Sequence, residues 1–153
     1  MCNFLRAIVQ RVKSSKVSVN GEVIGSISKG FNVLLGISKE DTLEDIKYIK
    51  DKIINLRIFE DENDKMNLSL LDVKGEILFI SQFTLYGDCR KCRRPNFMEA
   101  MGGEEARKLY ETTLEAFKES GLKVEKGEFG AHMVVDIVND GPVTIMLDSK
   151  KQF

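Results

Sequence analysis

The first third of the chain alternates apolar and polar residues in short runs, which is the period of a half-buried β-strand. Strands are predicted in LRAIVQRV and in KVSVNGEVIGSI, and the second stretch contains Asn20-Gly21, a pair that favours a tight hairpin turn. The next run, GFNVLLGI, is continuously apolar and has the length of a buried strand. The N-terminal part is therefore predicted to be β-rich, with a hairpin at Asn20-Gly21.

Helical periodicity replaces this pattern in two later segments. The first helix is predicted to begin after Asp41 or Thr42, either of which can cap it, and to cover one face of a sheet. Its apolar side comprises Ile46, Ile49, Ile53 and Leu56. The second helix is predicted from about Glu104 to Ser120, with Gly121 as its C-terminal stop. Its apolar side comprises Ala106, Leu109, Tyr110, Thr113, Leu114 and Phe117.

The remaining segments predict further strands. KGEILFISQFTLYGD is predicted to be a buried strand that ends where Gly87 and Asp88 break the pattern. HMVVDIV and VTIMLD, which are joined by NDGPVT, predict two more. Because hairpins outnumber β-α-β crossovers in this order, we predict a mixed α/β fold and not a doubly wound parallel sheet. With 153 residues, 42% of them apolar, the chain is predicted to form a single domain over residues 1–153.

Charge and composition narrow the class of protein. The net charge is −1 and charged residues are spread along the chain, so any contact with nucleic acid must be local. The N-terminal stretch MCNFLRAIVQRVKSS has charges inside its apolar run and no small-residue cleavage site, and no segment has the apolar length of a membrane span. Three cysteines do not make a disulfide framework, which agrees with a reducing compartment. We therefore expect a cytoplasmic protein that does not enter membranes.

The concentrated basic stretch is CRKCRRP, a loop that follows a predicted strand. Its cations are Arg90, Lys91, Arg93 and Arg94. They predict either a loop that contacts phosphates or a solvated, mobile loop, and the sequence leaves both open. The same loop contains Cys89 and Cys92 at metal-ligand spacing, but zinc needs about four ligands and only Cys2 and His132 remain to join from a distance. Two free thiols are the favoured interpretation, and no metal site is predicted.

Side chains for nucleophilic catalysis are few. His132 is the only histidine, and its position at the start of an apolar strand indicates a structural or rim residue. Ser81, Thr84 and Thr144 lie beside predicted strand ends, where a hydroxyl could attack a substrate or orient it. Because no base is visible beside them, orientation is favoured over attack.

The segment NDGPVT contains one of the two prolines of the chain, Pro142, directly after Gly141. A trans bond is the default, since about 5–6% of X-Pro bonds in folded proteins are cis. If the bond is cis, two backbone carbonyls can point the same way from a rigid corner with no N–H at proline and no side chain at glycine. Such a corner could sense the shape of a ligand at close range.

SQFTLYGD, RRPNF and NDGPVT, together with LRIFEDENDKMNLSLLDV, resemble the D-aminoacyl-tRNA deacylase family of the bacterial D-tyrosyl-tRNA deacylase type. The resemblance covers the chain from about Arg6 to Ser149. It implies largely antiparallel sheets that form a barrel-like layer with two main helices packed on it. It also implies a homodimeric, cofactor-free enzyme that hydrolyses the ester joining a D-amino acid, or glycine mischarged on tRNA-Ala, to the 3′ end of tRNA.

The resemblance also implies a role for particular residues. The catalytic group would comprise Ser81, Gln82, Phe83, Thr84 and Thr144. Gly141 and Pro142 would form a cis corner that reaches into the partner subunit's active site and rejects L-aminoacyl groups, and Arg11 would hold that corner in place. Phe129 and Met133 would line the pocket of the terminal adenosine. Bond breaking would fall to the 2′-hydroxyl of the tRNA and to main-chain donors near Phe83 and Thr84.

Departures from the family pattern and the basic loop keep two other hypotheses open. The cysteine pair stands where threonine and glycine are commoner, and His132 stands where an acidic residue is frequent. The basic loop alone would also suit a non-catalytic protein that binds the ends of tRNA or other RNA. A weaker third hypothesis is a thiol-based sensor built on Cys89 and Cys92.

Overall fold

The structure, a computed structural model, describes residues 5–151, so Cys2 lies outside the described part. Its strands are β1 (Arg6–Val19), β2 (Glu22–Ile27), β3 (Gly30–Gly36), β4 (Phe59–Glu60), β5 (Met66–Leu68), β6 (Glu76–Ser81), β7 (Lys123–Lys126) and β8 (Val134–Asp148). Its helices are α1 (Leu43–Asn55), a short 3-10 helix (Phe83–Tyr86) and α2 (Gly103–Lys118). No helix in this part of the chain is long and apolar enough to cross a membrane.

The long strand β1 organises the sheet. It continues without a break through both predicted N-terminal strands and turns into β2 at Asn20 and Gly21, whose φ angles are 51° and 83°. Positive φ at both central residues is what a type I′ hairpin turn requires, so the predicted hairpin is confirmed. β1 pairs antiparallel with β2, β3 and β8.

Parallel strands complete the sheet. β3 pairs parallel with β6, and β6 pairs parallel with β7, while α1 and α2 lie in the two connections. The two ends of the order β2-β1-β3-β6-β7 approach each other, because the backbone N–H of Ser26 lies 3.4 Å from the Glu125 carboxylate. The layer is thus nearly closed. The predicted mixed α/β fold with a barrel-like layer and two main helices is confirmed.

The helices begin and end close to the predicted residues, for local reasons. The Asp45 carboxylate accepts hydrogen bonds from both the N–H and the hydroxyl of Thr42, at 2.8 and 2.9 Å, and this closes the N-terminal turn of α1. After α2 the chain turns at Gly121, whose φ is 83°. One apolar core lies between the helices and the sheet, and a second, smaller one lies against Val12, Val17 and the other face of β6.

Candidate active site

The SQFT segment leaves the sheet instead of extending it. β6 ends at Ser81, and the chain enters a 3-10 helix over Phe83–Tyr86, so the prediction of one strand up to Gly87 is wrong. Two contacts from other elements explain the turn. The Tyr86 hydroxyl donates to the Gly36 carbonyl at 2.9 Å, and Arg6 Nη1 donates to the Leu85 carbonyl at 2.9 Å. These long-range bonds hold the turn from below.

The other side of this turn faces solvent. The Phe83 side chain is 53% exposed and packs edge to face on Phe97, with 5.1 Å between the ring centroids. Gln82 Nε2 donates to Thr84 Oγ1 at 2.6 Å, which ties the two polar side chains of the segment together. The first N–H groups of a helix have no partner inside it, so those at the start of this turn are left for other acceptors.

A cleft of about 450 Å³ opens beside the turn. It brings together four of the residues singled out in the sequence: Ser81, Phe83, Phe129 and Met133. The Phe129 ring is held from behind by the Tyr110 ring, at 5.8 Å between centroids, and by the Arg107 guanidinium, at 5.3 Å from the ring centre. A largely apolar cleft of this size with aromatic walls suits the base and sugar of one nucleoside.

The NDGPVT segment is a bulge within one strand and not a link between two. Gln10 pairs with Thr144 and Val12 pairs with Asn139, so two steps along β1 face five steps along β8. The prediction of two separate C-terminal strands is therefore wrong, because both runs pair with the same strand in the same direction. The extra residues project as an exposed corner at Gly141–Pro142, and the peptide bond between them is cis.

Arg11 holds the start of this corner. Its Nε donates to the Asp140 carbonyl at 3.0 Å and its Nη1 donates to the Ile58 carbonyl at 2.7 Å. Its Nη2 lies 3.7 Å from the Glu60 carboxylate. The side chain is buried, and its ordered donors satisfy backbone oxygens that the bulge and the neighbouring strand leave open. Arg11 therefore bonds to the residue that directly precedes the corner.

Asn139 holds the other end of the corner, and the sequence analysis missed it. Its Oδ1 accepts from the Val143 N–H at 2.8 Å. Its Nδ2 donates to the Val143 carbonyl at 3.2 Å and to Thr144 Oγ1 at 3.3 Å. An asparagine just before Asp-Gly-Pro was the available signal, since this side chain often bonds to the backbone of its own loop.

Within one chain the residues predicted for catalysis and for chiral selection form two separate groups. Ser81 and the 3-10 helix follow β6, whereas Gly141, Pro142 and Thr144 belong to β8. β1 and β3 lie between these two strands in the sheet, and the corner does not line the cleft. Within one chain, therefore, the cleft and the corner are separate features.

The basic loop projects next to the cleft. Two backbone hydrogen bonds between Asp88 and Asn96, at 2.8 and 3.0 Å, close its base, and residues 89–95 are all exposed. Arg90 folds back so that its Nε and Nη2 donate to the Asp88 carboxylate, at 2.9 and 2.7 Å. These bonds hold the pKa of Asp88 well below its usual range. Arg90 is therefore engaged within the loop, whereas Lys91, Arg93 and Arg94 extend the positive surface.

The remaining candidates lie at the periphery. Cys89 and Cys92 are exposed free thiols, and His132 is exposed just before β8. Among residues 5–151 no group of three His, Cys, Asp or Glu side chains could hold a metal ion.

A half-buried carboxyl lies behind the cleft. Asp41 accepts from the N–H and the hydroxyl of Ser38, at 2.6 and 3.1 Å. Ser38 forms an isolated bridge with Ala100 on the cleft wall. Burial raises the pKa of Asp41 to about 7, in spite of these hydrogen bonds, which act in the opposite direction.

Known proteins resemble this chain over nearly its whole length. The family model described as D-Tyr-tRNA(Tyr) deacylase matches residues 8–148. A D-aminoacyl-tRNA deacylase of Clostridium beijerinckii is 75% identical over 149 residues, which is 97% of this chain and 100% of the relative. One of Clostridium botulinum is 72% identical with the same coverage.

Solved structures agree with the fold. A protein described as c-Myc DNA Unwinding Element Binding Protein has a TM-score of 0.87 and 46% identity, over 93% of this chain and 97% of its own. A probable eukaryotic D-amino acid tRNA deacylase has a TM-score of 0.82 over 95% and 99% of the two chains. At 17% identity the second likeness concerns the fold alone.

Proposed function

The chain belongs to the D-Tyr-tRNA(Tyr) deacylase family, and on this premise we propose that it hydrolyses the ester bond of D-aminoacyl-tRNA, releasing the amino acid and the tRNA. The observation that carries this proposal is the 75% identity over the full length of a D-aminoacyl-tRNA deacylase. The geometry supports it, because Ser81 and Phe83 of the SQFT segment line a nucleoside-sized cleft. Such an activity belongs in the cytoplasm, where aminoacyl-tRNA is made and used.

The terminal adenosine occupies the cleft in this proposal. Phe129 and Met133 form one wall and Phe83 lies at the rim, so a base can stack or pack on apolar surface. Tyr110 and Arg107 keep the Phe129 ring in place from behind. The ester carbonyl then lies next to Ser81 and the 3-10 helix.

Ester hydrolysis beside the 3-10 helix depends on hydrogen-bond donors of the main chain more than on titrating side chains. Water attacks the ester carbonyl, and main-chain N–H groups near Phe83 and Thr84 stabilise the oxyanion that forms. Its collapse breaks the acyl C–O bond, and the ribose oxygen leaves with a proton from the attacking water. The 2′-hydroxyl of the tRNA lies next to the ester and assists in breaking the ester bond. This proposal is supported by the turn itself, which is fixed from below by Arg6 and Tyr86 and therefore preorganised.

A homodimer completes the site. Within the described residues β8 pairs only with β1, so its other edge is open along 15 residues. This strand also exposes apolar side chains, with Val134 59%, Val138 49% and Met146 53% accessible. Long apolar edge strands are normally covered, and a second copy would cover this one. It would also allow the Gly141–Pro142 corner to reach the partner's cleft, which it does not reach in its own chain.

The corner enforces chirality by exclusion. Arg11 and Asn139 hold its two ends, so its exposed backbone is a fixed obstacle and an L side chain would collide with it. A D side chain points away, and glycine has no side chain to reject. Glycine mischarged on tRNA-Ala is accordingly a substrate as well.

The basic loop binds the tRNA backbone. Lys91, Arg93 and Arg94 are exposed beside Phe97, which lines the cleft, so they can contact phosphates near the bound 3′ end. Arg90 contributes through the same loop, although its guanidinium is engaged with Asp88. Such contacts give affinity without reading sequence.

The test is release of amino acid from matched D- and L-tyrosyl-tRNA, with glycyl-tRNA as a third substrate. We expect release from the D-tyrosyl and glycyl substrates and retention of the L-tyrosyl ester. The basic loop is the observation that favours the second candidate, a non-catalytic protein that binds RNA ends. Tight binding of tRNA without release from any of the three substrates would favour that candidate.

A further inference from the structure

We propose that Asn139 is a positioning residue, which fixes the end of the corner and makes the Thr144 hydroxyl an outward-facing hydrogen-bond donor. This inference rests on the proposed deacylase function and concerns how the same site is prepared. It adds a residue outside the SQFT segment, the Gly-Pro pair and Arg11.

The orientation of the Asn139 amide follows from chemistry. The Val143 N–H can only donate, so the atom 2.8 Å from it must be the oxygen Oδ1. The nitrogen Nδ2 is therefore the atom that faces the Val143 carbonyl at 3.2 Å and Thr144 Oγ1 at 3.3 Å. One side chain thus satisfies both backbone groups of Val143 and also bonds to the hydroxyl of the next residue.

This orientation determines what Thr144 can offer. Since Nδ2 donates to Oγ1, the hydroxyl oxygen is used as an acceptor towards Asn139 and its single proton is left for another group. Thr144 is exposed, so this proton is available to a ligand oxygen. In the proposed function that oxygen belongs to the ester or ribose of the aminoacyl end bound by the partner subunit. The donor polarity of Thr144 is thereby set before substrate arrives.

Two side chains, Arg11 and Asn139, hold the corner in position. Arg11 bonds to the carbonyl of Asp140 at its start, and Asn139 bonds to Val143 at its end. The polar partners of Arg11 are Asp140, Ile58 and Glu60, so among the described residues the polarity of the Thr144 hydroxyl depends on Asn139. If Asn139 only closed the bulge, replacing it would lower the stability of the protein, but the effect on kcat would not depend on whether Thr144 has a hydroxyl.

The decisive substitution is Asn139→Asp. It keeps an oxygen for the Val143 N–H but replaces both amide donors with an acceptor, so the Thr144 proton turns inwards to the carboxylate. We expect kcat on D-tyrosyl-tRNA to fall by about tenfold, the size of one or two lost hydrogen bonds, with a smaller change in KM. The matched control is Asn55→Asp, because Asn55 also donates to a backbone carbonyl but lies exposed at the end of α1. It should leave kcat unchanged.

A double-mutant cycle separates positioning from plain structure. Thr144→Val removes the hydroxyl, and in that background Asn139→Asp should reduce kcat much less than it does in the wild type. Equal reductions in both backgrounds, at matched thermal unfolding temperatures, would overturn the proposal. Thr144→Ser, which keeps a hydroxyl, should recover most of the rate.

A second measurement does not depend on whether Asn139→Asp folds. In nitrogen-15-labelled protein the side-chain amide signals of Asn139 should shift in Thr144→Val, because one acceptor of Nδ2 is lost. Unchanged signals would overturn the inference. The deacylase function and the role of Asn139 are contradicted by different results. A wild type that releases no amino acid contradicts the deacylase function. An active wild type with an equally active Asn139→Asp variant contradicts only the role of Asn139.

Discussion

Arg11 Nε donates to the carbonyl oxygen of Asp140 at 3.0 Å, although 129 positions separate the two residues. The same guanidinium reaches the Ile58 carbonyl at 2.7 Å, so three distant parts of the chain meet at one buried cation. This contact joins the first half of β1, the start of the small β4-β5 hairpin and the bulge of β8. The direction in which the corner projects is therefore a property of the folded sheet.

Replacing Arg11 with Lys should show the value of this contact. A lysine has one ammonium group and cannot present two ordered donors to the two carbonyls, so the free energy of unfolding should fall by about 2 kcal/mol. We expect a larger loss in kcat for D-tyrosyl-tRNA than the loss of stability explains, since the corner is displaced. Chemical denaturation and initial rates measure the two effects. Arg57→Lys is the matched control, because Arg57 also bonds to a backbone carbonyl but is exposed. Activity that survives intact in Arg11→Lys would contradict the role of the corner.

Gly141→Ala should damage hydrolysis of every substrate, including glycyl-tRNA. Gly141 has a φ of 136°, and an added Cβ would lie 2.8 Å from Val143 Cγ2 and 3.1 Å from Arg11 Nη2. We expect a loss of more than about tenfold in rate, because the corner cannot keep its shape. Gly121→Ala is the control, since Gly121 also has a positive φ but would meet no atom within 4 Å. It should reduce stability and leave the rate per folded molecule unchanged.

The cysteine pair should be dispensable. Cys89 and Cys92 are exposed in the basic loop, and a solvated thiol has no evident part in ester hydrolysis. The double substitution Cys89→Ser with Cys92→Ser should keep turnover within about twofold of the wild type, as measured with D-tyrosyl-tRNA under reducing conditions. Loss of most activity, or stoichiometric zinc in the purified protein, would revive the metal or redox hypothesis.

Replacing Arg93 and Arg94 with Ala should weaken binding of tRNA through charge alone. Each lost phosphate contact should reduce the slope of log affinity against log salt by about 0.7–0.9. The ratio of D- to L-tyrosyl hydrolysis should not change, because phosphate contacts do not touch the aminoacyl group. Lys47→Ala with Lys118→Ala removes two exposed lysines from the helices and should leave the salt slope as it is. An altered D to L ratio in the arginine variant would place the loop at the aminoacyl group instead.

Asp41 should make stability depend on pH. Its pKa is about 7 in the folded protein against 3.8 for the ordinary carboxyl, so the folded state keeps a proton that the unfolded chain has released between these values. The stability that protonated Asp41 contributes is therefore present at low pH and is lost as the pH rises through 7. The thermal unfolding temperature of the wild type should therefore fall between pH 5 and 8 relative to that of Asp41→Asn.

Asp72→Asn is the control for that measurement. Hydrogen bonds from Ser69 lower the pKa of Asp72, so its contribution is lost only as the pH falls below the ordinary carboxyl range. The difference in unfolding temperature between Asp72→Asn and the wild type should not change between pH 5 and 8. A flat difference for Asp41→Asn as well would show that the Asp41 carboxyl is ionised throughout.

Sequence alone was sufficient where a structure depends on neighbours along the chain. The turn at Asn20-Gly21, the cap at Thr42 and the stop at Gly121 each follow from the backbone preference of one or two residues. The family could likewise be identified from motifs, since motifs are read in order along the chain.

Tertiary structure decided the features that depend on distant partners. FTLY is apolar enough to continue the strand, yet it forms a 3-10 helix because Tyr86 bonds to Gly36 and Arg6 bonds to Leu85. HMVVDIV and VTIMLD look like two strands joined by a turn, yet they form one bulged strand because β1 is long enough to pair with both. The hydrogen bonds between Asn139 and Val143 depend on that bulge, since only the looped-out chain brings Val143 back to the Asn139 amide. Hydrophobic pattern carries no information about which strand supplies the pairing groups, and so the geometry of the site could be known only from the fold.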